Sequence, residues 1–224
     1  MQSRFVIPGA IVLFGLIIGV ALFVSMRPAE REDGAIGDPS GMRDVSDADH
    51  ILGNPSAPIV FVQYADPDCA YCSFLTRALA EVMGKYGNTG EVAWVYRHLP
   101  LPASSPSSVE PSVALECSAM VGGEGDFFRF LTAFGEVTAG TGTDRIVMAA
   151  RQVGLPEQAF LDCAGGEEAK ANVAADAKDA LLAGATGVPY TILLVKDRPP
   201  VPISGTVSVE QLTQIIEAAR RGQQ

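Results

Sequence analysis

The chain has 224 residues, 48% of them hydrophobic, and a formal net charge of −10. Its acidic balance excludes nucleic-acid binding, which needs a basic face against phosphate. The length suits one domain carrying an insertion.

Phe5 to Val24 is an uncharged run of twenty residues. As a helix at about 1.5 Å per residue it matches a bilayer core of roughly 30 Å. No convincing small-x-small cleavage site follows, so an uncleaved single-pass anchor over residues 1–25 is expected. Arg4 on one side and Arg27 and Arg31 on the other leave its orientation open. Residues 26–49 are rich in Gly, Pro, Ser, Asp and Glu, a linker composition. Its ends would lie on the order of 25 Å apart. His50 to Pro58 reads as a lead-in whose prolines and Gly53 set loops.

Ile59 to Gln63 is apolar and β-branched, the pattern of a buried strand. Tyr64-Ala65-Asp66-Pro67-Asp68-Cys69-Ala70-Tyr71-Cys72 follows. Next, Phe74, Leu75, Ala78, Leu79, Val82 and Met83 recur at helical spacing, and the helix ends near Gly84 or Gly87. Glu91 to Arg97 is a second strand, which makes a βαβ unit with a parallel pair.

Pro100 to Pro111 holds four prolines and four serines and breaks the pattern. Helices are expected over Val113–Val121, Asp126–Val137, from a Thr143 cap to Val153, from Pro156 to Cys163, and over Glu167–Leu182. Strands return at Tyr190–Val195 and Val201–Ser204. Ser208 with Gln211 forms a capping-box pattern before a last amphipathic helix. The order is β-α-β, a helical insertion, then β-β-α.

The four cysteines are Cys69, Cys72, Cys117 and Cys163. Structural zinc usually shows two close pairs, and only one Cys-x-x-Cys exists, so no metal is expected. Cys69 and Cys72 sit where a strand hands over to a helix. Free N–H groups and the dipole at the start of a helix favour a thiolate on Cys69, the reacting form in disulfide exchange. Cys72, one turn in, is placed to resolve a mixed disulfide. Asp66 and Asp68 oppose the effect by like charge. Cys117 and Cys163 each lie on an expected helix, as buried thiols or as a second disulfide, which would add about 4 kcal/mol. His50 and His98, Trp94 and the Phe127-Phe128-Phe130-Phe134 cluster are most simply structural.

This order of elements, with Cys-x-x-Cys opening the first helix, resembles the thioredoxin fold. The insertion resembles the DsbA-like branch of thiol–disulfide oxidoreductases. Gly53-Asn54-Pro55-Ser56-Ala57-Pro58, Tyr64-Ala65-Asp66, Arg97-His98-Leu99-Pro100-Leu101 and Gly187-Val188-Pro189 each look like a run of that family. The resemblance covers residues 49 to 221. It implies an α/β thioredoxin-like domain over 50–104 and 185–224 with an all-helical insertion over 105–184. It implies catalysis by Cys69 and Cys72, and a cis-proline loop at Val188 and Pro189 that grips a substrate strand. Implied partners are proteins with reduced cysteines, a quinone-linked membrane protein that reoxidises the pair, and the membrane. No cofactor is implied. The implied location is the inner membrane, with the catalytic domain facing the periplasm. Two positions depart from the family: the redox dipeptide is Ala70-Tyr71 without proline, and Gln63 stands where a buried acid often sits. The expected activity is oxidation of substrate dithiols. The alternatives are a reductase or isomerase, or a non-catalytic binding or metal-chaperone module.

Overall fold

A five-stranded sheet forms the centre of the fold, its strands in the order β1 (His50–Gly53), β3 (Val92–His98), β2 (Ile59–Ala65), β4 (Tyr190–Val195) and β5 (Val201–Ser204). The computed structural model describes residues 38–101, 109–137 and 139–222. The expected anchor and residues 26–37 of the expected linker lie outside the described residues. Among the described residues, no helix is long and apolar enough to cross a membrane.

The elements are β1 His50–Gly53, β2 Ile59–Ala65, α1 Ala70–Tyr86, β3 Val92–His98, α2 Val109–Gly122, α3 Glu124–Glu136, α4 Thr143–Val153, α5 Glu157–Gly165, α6 Glu168–Leu182, β4 Tyr190–Val195, β5 Val201–Ser204 and α7 Val209–Arg221. β2 and β3 pair in parallel, with Ala65 opposite His98. β1 joins β3, and β4 joins β2 and β5, all antiparallel. This is the thioredoxin-like α/β arrangement with helices inserted between β3 and β4.

Side chains alternate across a strand, so each strand feeds two cores. Ile59, Phe61, Val92, Trp94 and Tyr96 pack with α1, α7 and residues of α2 to α5. Val60, Val62, Tyr64, Ala93 and Val95 pack on the opposite face with Ala177 and Ala180 of α6. The inserted helices are therefore not one block. The last of them covers the far side of the sheet, because its alanines let it approach closely.

Three expectations need correction. His50–Gly53 is a strand, not a loop, and it is only four residues long. It ends at Gly53 with φ +103°, where a Cβ would lie 2.8 Å from the Val92 carbonyl oxygen. Next, the linker does not run to residue 49. A 3-10 turn forms over Pro39–Gly41. Beyond it, the Arg43 N–H donates to Asp179 Oδ1 at 2.7 Å, and Met42 and Val45 pack on the α6-side core. Lastly, Thr143 is the first residue of α4, and Gly142 holds the cap position without a side-chain bond. The expected capping box on α7 forms as read.

A buried ion cluster fixes this lead-in. Arg97 is wholly buried and clasps Asp49 with Nε at 2.7 Å and Nη2 at 3.0 Å. Its Nη1 donates to Asp179 Oδ2 at 2.8 Å. Arg43 adds bonds of 2.7 Å to Asp49 and Asp176. Burial alone would raise the Asp49 carboxyl, but the Arg97 and Arg43 guanidiniums hold it below its ordinary value.

Candidate active site

β2 ends at Ala65, and the next four residues turn the chain into α1. The Cys69 N–H donates to the Asp66 carbonyl at 3.1 Å. Cys69 has extended backbone angles and occupies the N-cap of α1, where its Sγ accepts the Cys72 N–H at 3.4 Å. A sulfur thus stands where Ser or Asp usually caps a helix. Both cysteines are free thiols; Cys69 is half-buried and Cys72 is buried. Burial pushes the Cys72 thiol well above its ordinary range. Its hydrogen bond with Cys69 and the Asp66 charge add to that, and the Asp66 backbone N–H pulls the other way.

The two acids before Cys69 are handled differently. Asp66 is wholly buried, and its carboxylate accepts the N–H of Asp68 at 2.9 Å and of Leu101 at 3.1 Å. Asp68 forms an ion pair with Arg145 of α4 at 2.5 Å. Arg145 also donates to the Val137 and Phe134 carbonyls and lies 3.9 Å over the Phe134 ring. The like charge expected to crowd Cys69 is therefore neutralised at Asp68 by a cation from the inserted helices. Sequence reading missed Arg145 because it is 77 residues from its partner.

Gln63 is buried as a hydrogen-bonded core residue. Its oxygen accepts from Trp94 Nε1 at 3.0 Å, and its Nε2 donates to Thr76 at 3.2 Å. Asp66, Cys72, Thr76 and Tyr96 line one small cavity of about 30 Å³. That is room for about one water. Tyr71 and Phe74, 72% and 48% exposed, present apolar surface in the first turns of α1.

The Val188–Pro189 bond is cis, and the Pro189 carbonyl accepts the Gly205 N–H at 2.9 Å. Cys117 and Cys163 form a disulfide between α2 and α5, with Cα atoms 5.7 Å apart. His98 is wholly buried at the end of β3. His50 lies against Phe127, its ring stacked with a centroid separation of 3.7 Å.

Comparison with known proteins agrees with this geometry. α-DsbA1 from Wolbachia pipientis superposes with a TM-score of 0.66 at 22% identity, over 78% of this chain and 92% of that one. A thioredoxin-like oxidoreductase from Silicibacter pomeroyi gives 0.62 at 26% identity, over 79% and 94%. The fold is thus that of DsbA-like thiol–disulfide oxidoreductases. A stretch of 74 residues, 33% of this chain, is 36% identical to the Na(+)/H(+) antiporter NhaA 1 of Mycolicibacterium gilvum. The match spans only 12% of that longer protein. Residues 45–218 match the thioredoxin family profile, and the chain belongs to that family.

Proposed function

We propose that this protein is an extracytoplasmic, membrane-anchored thiol–disulfide oxidoreductase that oxidises substrate dithiols through Cys69 and Cys72. One observation carries the reading: a half-buried sulfur caps a helix, with a second, buried sulfur one turn behind it. In the oxidised pair, a substrate thiolate attacks Cys69 Sγ and the Cys69–Cys72 bond breaks. Cys72 leaves and takes up a proton. The second substrate thiolate then attacks the mixed disulfide, forms the product disulfide and releases Cys69 as a thiolate. Two electrons have passed from substrate to pair, and a quinone-linked membrane protein withdraws them. Asp66, facing the cavity beside Cys72, is the acid that exchanges the proton in place of Gln63.

Val188 and Pro189 serve as the grip for an extended substrate strand. Tyr71 and Phe74 offer apolar surface to an unfolded chain. The anchor over Phe5–Val24 and the periplasmic setting rest on hydropathy and on the cysteine chemistry. The Cys117–Cys163 bond supports the extracytoplasmic setting, since structural disulfides persist in oxidising compartments.

The test uses a reduced dithiol peptide and the oxidised protein. Cys69→Ser abolishes oxidation, and reduced Cys72→Ser, given the same peptide in its disulfide form, attacks it and accumulates as a mixed disulfide through Cys69. Full activity in the Cys69→Ser protein would reject the enzyme reading. The reduction potential decides direction. A value nearer about −120 mV than about −270 mV is expected, and the reverse assigns a reductase.

A further inference from the structure

We propose that His50, His98 and Glu116 form a binding site for one divalent transition-metal ion, zinc by its donor set. The site is separate from the thiol pair. Its ligands come from three elements, β1, β3 and α2, which meet behind the Cys72 cavity under the helical cover. His50 Nε2 and His98 Nε2 each lie 3.0 Å from the same Glu116 oxygen, Oε1. One donor atom from each residue falls within 4.8 Å of the others. Zinc bonded at about 2.0–2.2 Å to nitrogen and oxygen sets its tetrahedral ligands roughly 3.3 Å apart. Small side-chain movements therefore suffice to seat the ion.

His98 supplies an independent sign. Its side chain is fully buried, and neither ring nitrogen makes a hydrogen bond among the described residues. The contact with Glu116 meets the distance but not the direction a hydrogen bond needs. A buried imidazole left in this way is costly, and such a group calls for an ion or a water as its explanation. A metal on Nε2 satisfies that nitrogen. Without a metal, the partner of His98 Nε2 among the described residues is Glu116, as an ion pair at 3.0 Å.

The outer contacts also fit. His50 Nδ1 lies 3.0 and 3.2 Å from the two oxygens of Glu124. Glu116 Oε2 accepts from Asn172 Nδ2 at 2.9 Å. A carboxylate behind a histidine ligand orients the ring and strengthens its donor nitrogen. Two imidazoles and one carboxylate suit zinc, cobalt or nickel. They suit neither the all-oxygen ions calcium and magnesium nor thiophilic copper(I). Glu116 and Glu124 together supply the two negative charges that balance the ion. Bound there, the metal staples the edge strand and β3 to the first inserted helix. Tyr96 separates it from Cys72: its ring stands edge-on to His98 and lines the cavity with that thiol.

The experiment uses the full chain in a Cys69→Ser, Cys72→Ser background, so that the redox thiols cannot bind metal. After chelator treatment and dialysis the protein is titrated with Co²⁺ and then Zn²⁺. The expected result is one Co²⁺ per chain with visible ligand-field bands, displaced by one Zn²⁺, and a melting temperature raised by Zn²⁺. His98→Gln and Glu116→Gln lose stoichiometric binding. Glu124 is exposed enough to replace without disturbing the core, and Glu124→Ala weakens affinity by about 10- to 100-fold. Absence of stoichiometric binding by the parent overturns the proposal. So does undiminished affinity in Glu124→Ala, whatever the folding of the two core variants.

Discussion

At the scale of single residues, the chemistry at Cys69 depends on neighbours that the motif does not contain. Arg145 cancels the Asp68 charge from across a gap of 77 residues in sequence. Arg145→Ala leaves that carboxylate unopposed beside the thiolate. We expect alkylation of Cys69 by iodoacetamide at neutral pH to slow by about two- to threefold, the size of a part-exposed charge effect. Adding Asp68→Asn should restore the rate, which separates charge from misfolding. Asp66 makes a second case. In the proposed exchange, in either direction, Cys72 gains or loses a proton as the mixed disulfide forms or resolves. Asp66→Asn should slow that step on the order of 10²-fold, as loss of a positioned acid–base group does. Stopped-flow measurement of mixed-disulfide decay reads it directly. Recovery at alkaline pH distinguishes a lost proton acceptor from a distorted loop.

Among the elements, those with a continuous apolar signal were legible. β2 and β3 are runs of β-branched and aromatic residues, and α1 repeats its apolar residues every three or four positions. β1 was not legible, because a four-residue edge strand beginning at His50 and ending at a positive-φ glycine carries no periodicity. The inner end of the linker was missed for another reason. Asp and Arg read as solvated residues, yet Arg43 and Asp49 are held by partners as far as 136 residues away. Arg97 gave one available signal, a cation inside a strand whose alternate residues are buried. A buried cation demands buried anions. Arg97→Ala removes the shared partner of Asp49 and Asp179 and should cost about 3–5 kcal/mol in urea unfolding. Arg129→Ala, at an exposed pair, should cost less than about 1 kcal/mol. The same cluster sets an acid limit. Asp49 has a lower pKa folded than unfolded, so the unfolded chain binds more protons as pH falls. Its contribution is fully present above the unfolded value of about 4 and is lost below it. Melting temperature against pH should therefore fall below about pH 4, with a shallower slope in Asp49→Asn.

For the whole molecule, the order of elements and the family were readable because topology and Cys-x-x-Cys spacing survive in sequence. The placement of the inserted helices on both faces of the sheet was not, since α6 differs from its neighbours only in its alanines. The Cys117–Cys163 bond holds α2 to α5 on the active-site side. Replacing both by Ser should lower stability by about 4 kcal/mol through the freed 46-residue separation. Denaturant midpoints measure the loss. The reactivity of Cys69 should not change, because the bond joins α2 to α5 and neither helix carries the thiol pair.

Arg97 and His98 are consecutive in β3, yet they point to opposite sides of the sheet. Arg97 reaches the acids of the lead-in and α6, and His98 reaches Glu116 under the helical cover. The strand therefore has a parity. Deleting one residue upstream within β3 would turn the guanidinium towards Phe127 and the imidazole towards Asp49. Deleting two would keep both on their own sides. A register slip of one residue carries every side chain to the other face of the sheet. Here two polar neighbours forbid it. Natural length variation in this protein's descendants is thus expected in the turns flanking β3, and within the strand only in steps of two.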